Sequence, residues 1–325
     1  MPLTPTVKLK QACERLFMRA YQRRLVGLAM PLLLIGCYGA DMVAARKFAP
    51  SKPPYASAEP ITDPKLFAEG VINTDADAYG PTFTPDGKSL YFVRRIKRGE
   101  LEHIFVSHFA DGKWGEPRVA EFSGKFFDRE PFISPDGSRL FFSSKRPVKG
   151  EALNKDFNIW VVRRAGKGWG VPEHLGMPVN AEGDADYPSV AANGTLYFGS
   201  TREGGRGKVD LYRARLVKGK YTTAENLGDA INTPETEADP YIAPDESYLI
   251  FTSTRPGGYG RGDLYISFNK NGEWTTPRNL GPKINTDVFD YTPLVTPDGK
   301  YLFFSRGWGK IYQIDLAVLG INQRD

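Results

Sequence analysis

The chain has 325 residues, 41% of them hydrophobic and 13% aromatic, enough apolar material for a sizeable core, which excludes an intrinsically disordered polymer. Its formal charge of +5 lies wholly in residues 1–36, where six Lys and Arg face Glu14 alone, and the remainder carries 37 basic and 37 acidic side chains. A neutral domain presents no electrostatic footprint for a phosphate backbone, so nucleic acid is excluded as a partner.

Basic residues end at Arg23-Arg24, and the run Leu25 to Ile35 that follows is apolar and interrupted by Pro31. It is shorter than the roughly 20 residues of a spanning helix, so residues 1–36 read as a signal peptide. Leu34-Ile35-Gly36-Cys37 resembles a lipobox, where bacterial lipoproteins are cleaved and lipidated. The resemblance implies a lipid on Cys37 as the attachment to a membrane; an ordinary cleaved signal and an uncleaved anchor are the alternatives. With Cys13 in the removed part, Cys37 is the remaining thiol and no disulfide is expected. Residues 37–60, rich in Ala, Pro and Ser, read as a flexible tether.

Residues 61–325 repeat. Five segments align on Pro81, Pro131, Pro188, Pro240 and Pro293, which stand 50 to 57 residues apart, room for about four short strands each. After each proline an Asp-Gly or related pair makes a tight turn between two apolar runs. An Arg- and Gly-rich loop, a third strand such as Asp210-Leu211-Tyr212, a second turn, and an outer strand marked Trp114-x-x-Pro117 or Trp274-x-x-Pro277 complete the unit. Units of this kind bury their sheet faces against one another, which predicts an all-β, five-bladed propeller of four-stranded antiparallel blades. The fifth unit reaches Asp325 without a fourth strand, while Ile61 to Phe67 and Val71 to Thr74 match the segment around Trp274 to Thr286. The N-terminal strand is therefore expected to pair with the C-terminal blade and close the ring.

Pro-Asp-Gly at residues 85–87, 135–137 and 297–299, Ser-Thr-Arg at 200–202 and 253–255, and Gly-Gly before Asp-Leu-Tyr make these units similar to PD40 repeats, the WD40-like propeller repeats of TolB-like bacterial envelope proteins. The resemblance implies a periplasmic, lipid-anchored scaffold in the cell envelope. Its implied partner is another envelope protein or a peptidoglycan-associated complex.

In such a blade the inter-blade loops and the loops joining strands two and three share one face. The first set carries Asp77, Asp128, Asp186, Asp239 and Asp290; the second carries Arg94, Arg95, Arg146, Arg202, Arg255 and Arg306. An acid–arginine ladder pinning blade to blade is the expectation, with carboxylates at the channel mouth. Nothing in the sequence singles out two of these carboxylates as the acid and base of a glycosidase, so the glycan-active or glycan-binding reading stands as the alternative. His103, His108 and His174 do not cluster, and no Gly-x-Ser-x-Gly elbow occurs, which leaves serine hydrolysis without a nucleophile. No cofactor is expected; Asn73-Thr74-Asp75-Ala76-Asp77 has the donor types for a cation such as calcium but not the spacing of an EF-hand loop.

Features that break the symmetry point to recognition. The second unit has an inserted loop, Pro147 to Asp156, with Lys149 and Lys155; the fifth has a short one in which Trp308 lies between Arg306 and Lys310; the first has the densest basic loop, containing Arg94 and Arg95. Partner binding is expected on this loop face, because the opposite hairpin face repeats nearly constant turns.

Overall fold

A computed structural model describes residues 52–95 and 101–320; Cys37 and the signal-peptide and lipid-anchor expectations lie outside them. The described chain is almost wholly β. Five antiparallel sheets follow one another along the sequence and form a five-bladed propeller, each blade ordered from an inner strand at the central channel to a fragmented outer edge. The inner strands are Asp77–Phe83, Asp128–Ile133, Ala185–Val190, Glu237–Ile242 and Asp290–Val295.

The outer strand of blade 1 is split into Lys113–Trp114 and Arg118–Val119, because Pro117 between them has no N–H for the ladder. The same break recurs in blades 2 and 4 at Pro172 and Pro277, and in blade 3, where Ala224 takes the proline's place, between Lys220–Tyr221 and Glu225–Asn226.

The ring closes as the repeat alignment predicts. Lys65 and Leu66 pair antiparallel with Gln313 and Tyr312, and the Asp315 amide donates to the Ile61 carbonyl at 3.0 Å. The first described strand thus supplies the outer edge of the last blade. Within the segment expected as tether, residues 53–57 lie against the propeller. Tyr55 is buried among Phe83, Tyr301 and Phe303, and the Ser57 amide donates to the Tyr301 hydroxyl.

Each blade places a fully buried phenylalanine at the same point of its second strand, Phe92, Phe142, Phe198, Phe251 or Phe304, and blades 2 and 5 add Phe141 and Phe303. Beside the shared phenylalanine, on the third strand, stands a second ring, as in the pairs Phe198–Tyr212 at 6.1 Å and Phe304–Tyr312 at 5.9 Å. Such pairs contribute about 0.5–1.5 kcal/mol beyond their burial, and here they also form the seat for a charged group.

Candidate functional site

That group is an arginine, one per blade. Arg94, Arg146, Arg202, Arg255 and Arg306 each place the guanidinium over the rings of strands two and three, for example Arg255 over Phe251 and Tyr265 and Arg306 over Phe304 and Tyr312. Each then donates to a main-chain carbonyl of the connector entering its own blade: Ile72, Phe122, Val179, Ile231 or Ile284, at 2.6–3.1 Å. The element common to all five blades is therefore an arginine held between two rings and a carbonyl. The ladder's acid is present in only three. Asp128 meets Arg146 at 2.8 Å, Glu237 meets Arg255 at 3.4 Å, and Asp290 meets Arg306 at 2.7 Å. In blades 1 and 3 the equivalent position, three before the proline, is Ala78 or Ala185. There burial lowers the pKa of Arg94, offset in part by Glu116, and of Arg202, and neither guanidinium forms an ion pair among the described residues.

The five acids expected to form one ladder thus occupy different registers. Asp77 pairs with Arg95 at 2.9 Å, and Arg95 also reaches Glu102 at 3.1 Å. Asp186 forms an ion pair with Arg129 of the preceding blade. Asp239 makes no ion pair among the described residues. Of the side chains expected to meet a partner, Arg94 is only 8% exposed, and Arg306 is spent on Asp290 and Ile284; both are latches, because each guanidinium is committed to its own blade. Lys149 and Lys155 are exposed, and Trp308 is 64% exposed.

The feature that sequence reasoning missed lies one residue before each repeat proline. At that position all five inner strands slip register and the residue enters the left-handed region: Gly80 (φ 61°), Glu130 (50°), Tyr187 (55°), Asp239 (50°) and Thr292 (47°). Non-glycine residues rarely adopt this conformation and bear a cost of about 1 kcal/mol or more there. The slip is a β-bulge, which re-aims the side chain, and all five residues line the waist of the channel around a cavity of about 30 Å³. The ring is fivefold in backbone and asymmetric in chemistry, since two of its five residues are carboxylates and one is glycine.

Glu130 is 9% and Asp239 7% exposed. Burial, with repulsion from Asp239 and Asp186, pushes the Glu130 pKa well above the carboxylate range. Asp239 is pushed up to about 7 by burial, offset in part by the Thr252 hydroxyl, with repulsion from Asp186 adding to the rise. Asp239 Oδ1 nevertheless has no hydrogen-bond partner of adequate geometry. A Cβ at Gly80 would come within 2.9 Å of Glu130 Oε2, so the glycine makes room for the acid. Arg129 works in the opposite direction. Although burial disfavours its charge, Asp186 holds its pKa well above the usual value, and its guanidinium lies 3.7 Å from the centre of the Phe157 ring. Among the described residues no group of three or more His, Cys, Asp or Glu side chains is placed to hold a metal ion. In the segment expected to offer cation donors, the Asn73 side chain is hydrogen-bonded to main chain at both ends.

No protein-family model and no curated protein matches the chain. Among solved structures it is similar to TolB from Acinetobacter baumannii, at 18% identity and a TM-score of 0.46 over 74% of this chain and 54% of that one. The chain thus spans about half the length of that relative. It is also similar to the α-L-arabinofuranosidase from Lactobacillus brevis (12% identity, TM-score 0.48, 74% and 87% covered). The catalytic domain of the Coprinopsis cinerea GH62 α-L-arabinofuranosidase is a third (11%, 0.49, 82% and 98%).

Proposed function

We propose that the protein is a non-enzymatic interaction scaffold of the bacterial envelope, TolB-like, held to a membrane by a lipid on Cys37 and docking another envelope protein or a peptidoglycan-associated complex on its loop face. The observation that carries this reading is the enclosure of the waist carboxylates. A cavity of about 30 Å³ has room for one or two waters, far below the roughly 300 Å³ at which small-ligand pockets begin, so Glu130 and Asp239 have no space for a sugar beside them. The loop face, by contrast, carries exposed apolar side chains on unequal loops: Leu153 in blade 2, Tyr259 in blade 4 and Trp308 in blade 5. Rigid aromatic anchors on uneven loops suit protein recognition.

Photo-crosslinkers placed at Tyr259 and Lys149 on the loop face, and at Lys88 on the hairpin face, test the reading in native envelopes. Specific protein adducts are expected from the first two positions only. Adducts from Lys88 alone would place the interface on the opposite face.

The glycan-active reading draws on the same pair of acids, since a raised pKa is what a general acid needs. It requires the waist to open. Hydrolysis of envelope polysaccharide that is lost in both Glu130→Gln and Asp239→Asn would favour it.

A further inference from the structure

The hairpin face, expected to offer little to recognise, holds the other mouth of the channel. A cavity of about 450 Å³ opens there, bounded by inner-strand ends of all five blades and hairpin turns of blades 1, 2, 4 and 5, and this size falls within the range of pockets that enclose a small organic molecule. Its inner wall is apolar and aromatic. Phe132 and Tyr241 approach across the channel with ring centroids 6.5 Å apart, and Tyr248 stands 6.2 Å from Tyr241. The charged side chains among its lining residues are Asp245 and Asp298, both acidic, and no Lys or Arg is among them. Each uses its Oδ1 within its own turn, Asp245 accepting from Ser247 and Asp298 from Thr296.

We propose that this mouth binds a small organic cation, an amine or quaternary ammonium with an apolar body. Electron-rich ring faces attract a desolvated ammonium, the rim carboxylates add attraction of the same sign, and the apolar wall takes the remainder of the ligand. An anion of equal size meets the same wall with its charge opposed, and a neutral isostere gains from the wall alone. The site is independent of the loop-face interface and goes beyond the scaffold reading.

The test is a titration of the full chain, followed by ligand-observed NMR, with 2-phenylethylamine as probe, 2-phenylethanol as its neutral counterpart and phenylacetate as the anion. Saturable binding is expected in the order amine, alcohol, anion. The double variant Asp245→Asn/Asp298→Asn keeps the turn acceptors and should weaken the amine roughly five- to tenfold, as expected for two exposed charges, while leaving the alcohol unchanged; a melting curve confirms folding. Equal affinity for amine and alcohol, amine binding indifferent to the double variant, or no saturable binding of any probe would each overturn the proposal. None of these results bears on protein docking at the opposite face.

Discussion

Asn73 and Ile311, 238 residues apart, are joined by two hydrogen bonds: the Asn73 amide nitrogen donates to the Ile311 carbonyl at 2.8 Å and its oxygen accepts from the Ile311 amide at 2.8 Å. Asn180, Asn232 and Asn285 clamp Ile159, Leu211 and Leu264 in the same way within blades 2, 3 and 4. Only in blade 5 does the clamp join the two ends of the described chain. Asn73→Ala leaves a buried main-chain donor and acceptor unpaired and should cost about 2–3 kcal/mol. Hydrogen exchange in Lys310–Asp315 should accelerate first, before the other third strands. Uniform acceleration across all blades, or an unchanged melting temperature, would count against closure by this segment.

The arginines offer a graded prediction. Arg146→Met strands the buried Asp128 carboxylate and should cost about 3–5 kcal/mol. Arg202→Met removes a guanidinium that faces a carbonyl and two rings, with Ala185 where the acid would be, and should cost about 1–2 kcal/mol. Urea unfolding of the two variants gives the order directly. Equal losses would show that the acids add nothing to the latch.

The waist carboxylates predict a pH dependence of defined sign. Asp239 has a folded pKa of about 7, above its ordinary value near 3.8, and Glu130 is raised as well. A carboxylate raised on folding is bound to its proton more tightly in the native state. Its contribution to stability is fully present below the ordinary value and is lost as pH climbs through the folded one. The melting temperature should therefore fall between pH 5 and 8 through this pair. Asp239→Asn should flatten that slope, and a slope unchanged in the variant would mean that other groups set it.

The architecture was legible because the proline spacing, the Asp-Gly turns and the match of Ile61 to Phe67 to an outer strand all report backbone geometry, which the repeat holds constant. The waist was not. Asp77, Asp128, Asp186, Asp239 and Asp290 stand at four different offsets from their prolines, and in a strand a slip of one residue turns a side chain to another face. Grouping them by residue type joined a ladder acid, Asp128, to a channel acid, Asp239. Reading the residue before each proline across the units recovers the ring of Gly80, Glu130, Tyr187, Asp239 and Thr292. The hairpin-face cavity was hidden for a related reason: Phe132, Tyr241 and Leu294 alternate as core residues do, and only ring closure leaves space between them.

The anchor has its own test. Cys37→Ser should move the protein from the membrane fraction to the soluble fraction, since a single lipid is the attachment the lipobox resemblance implies. Continued sedimentation with membranes would favour an uncleaved apolar segment.

The scaffold reading is tested most directly by measuring the affinity of the protein for its crosslinked envelope partner, once identified, in the wild type, Trp308→Ala and the double variant Glu130→Gln/Asp239→Asn. Loss of an interface anchor costs about 2 kcal/mol or more, so Trp308→Ala should bind at least tenfold more weakly with an unchanged melting temperature, while the double variant binds as the wild type does. Wild-type affinity in Trp308→Ala together with loss of binding or turnover in the waist double variant would contradict the account and place the working site in the channel.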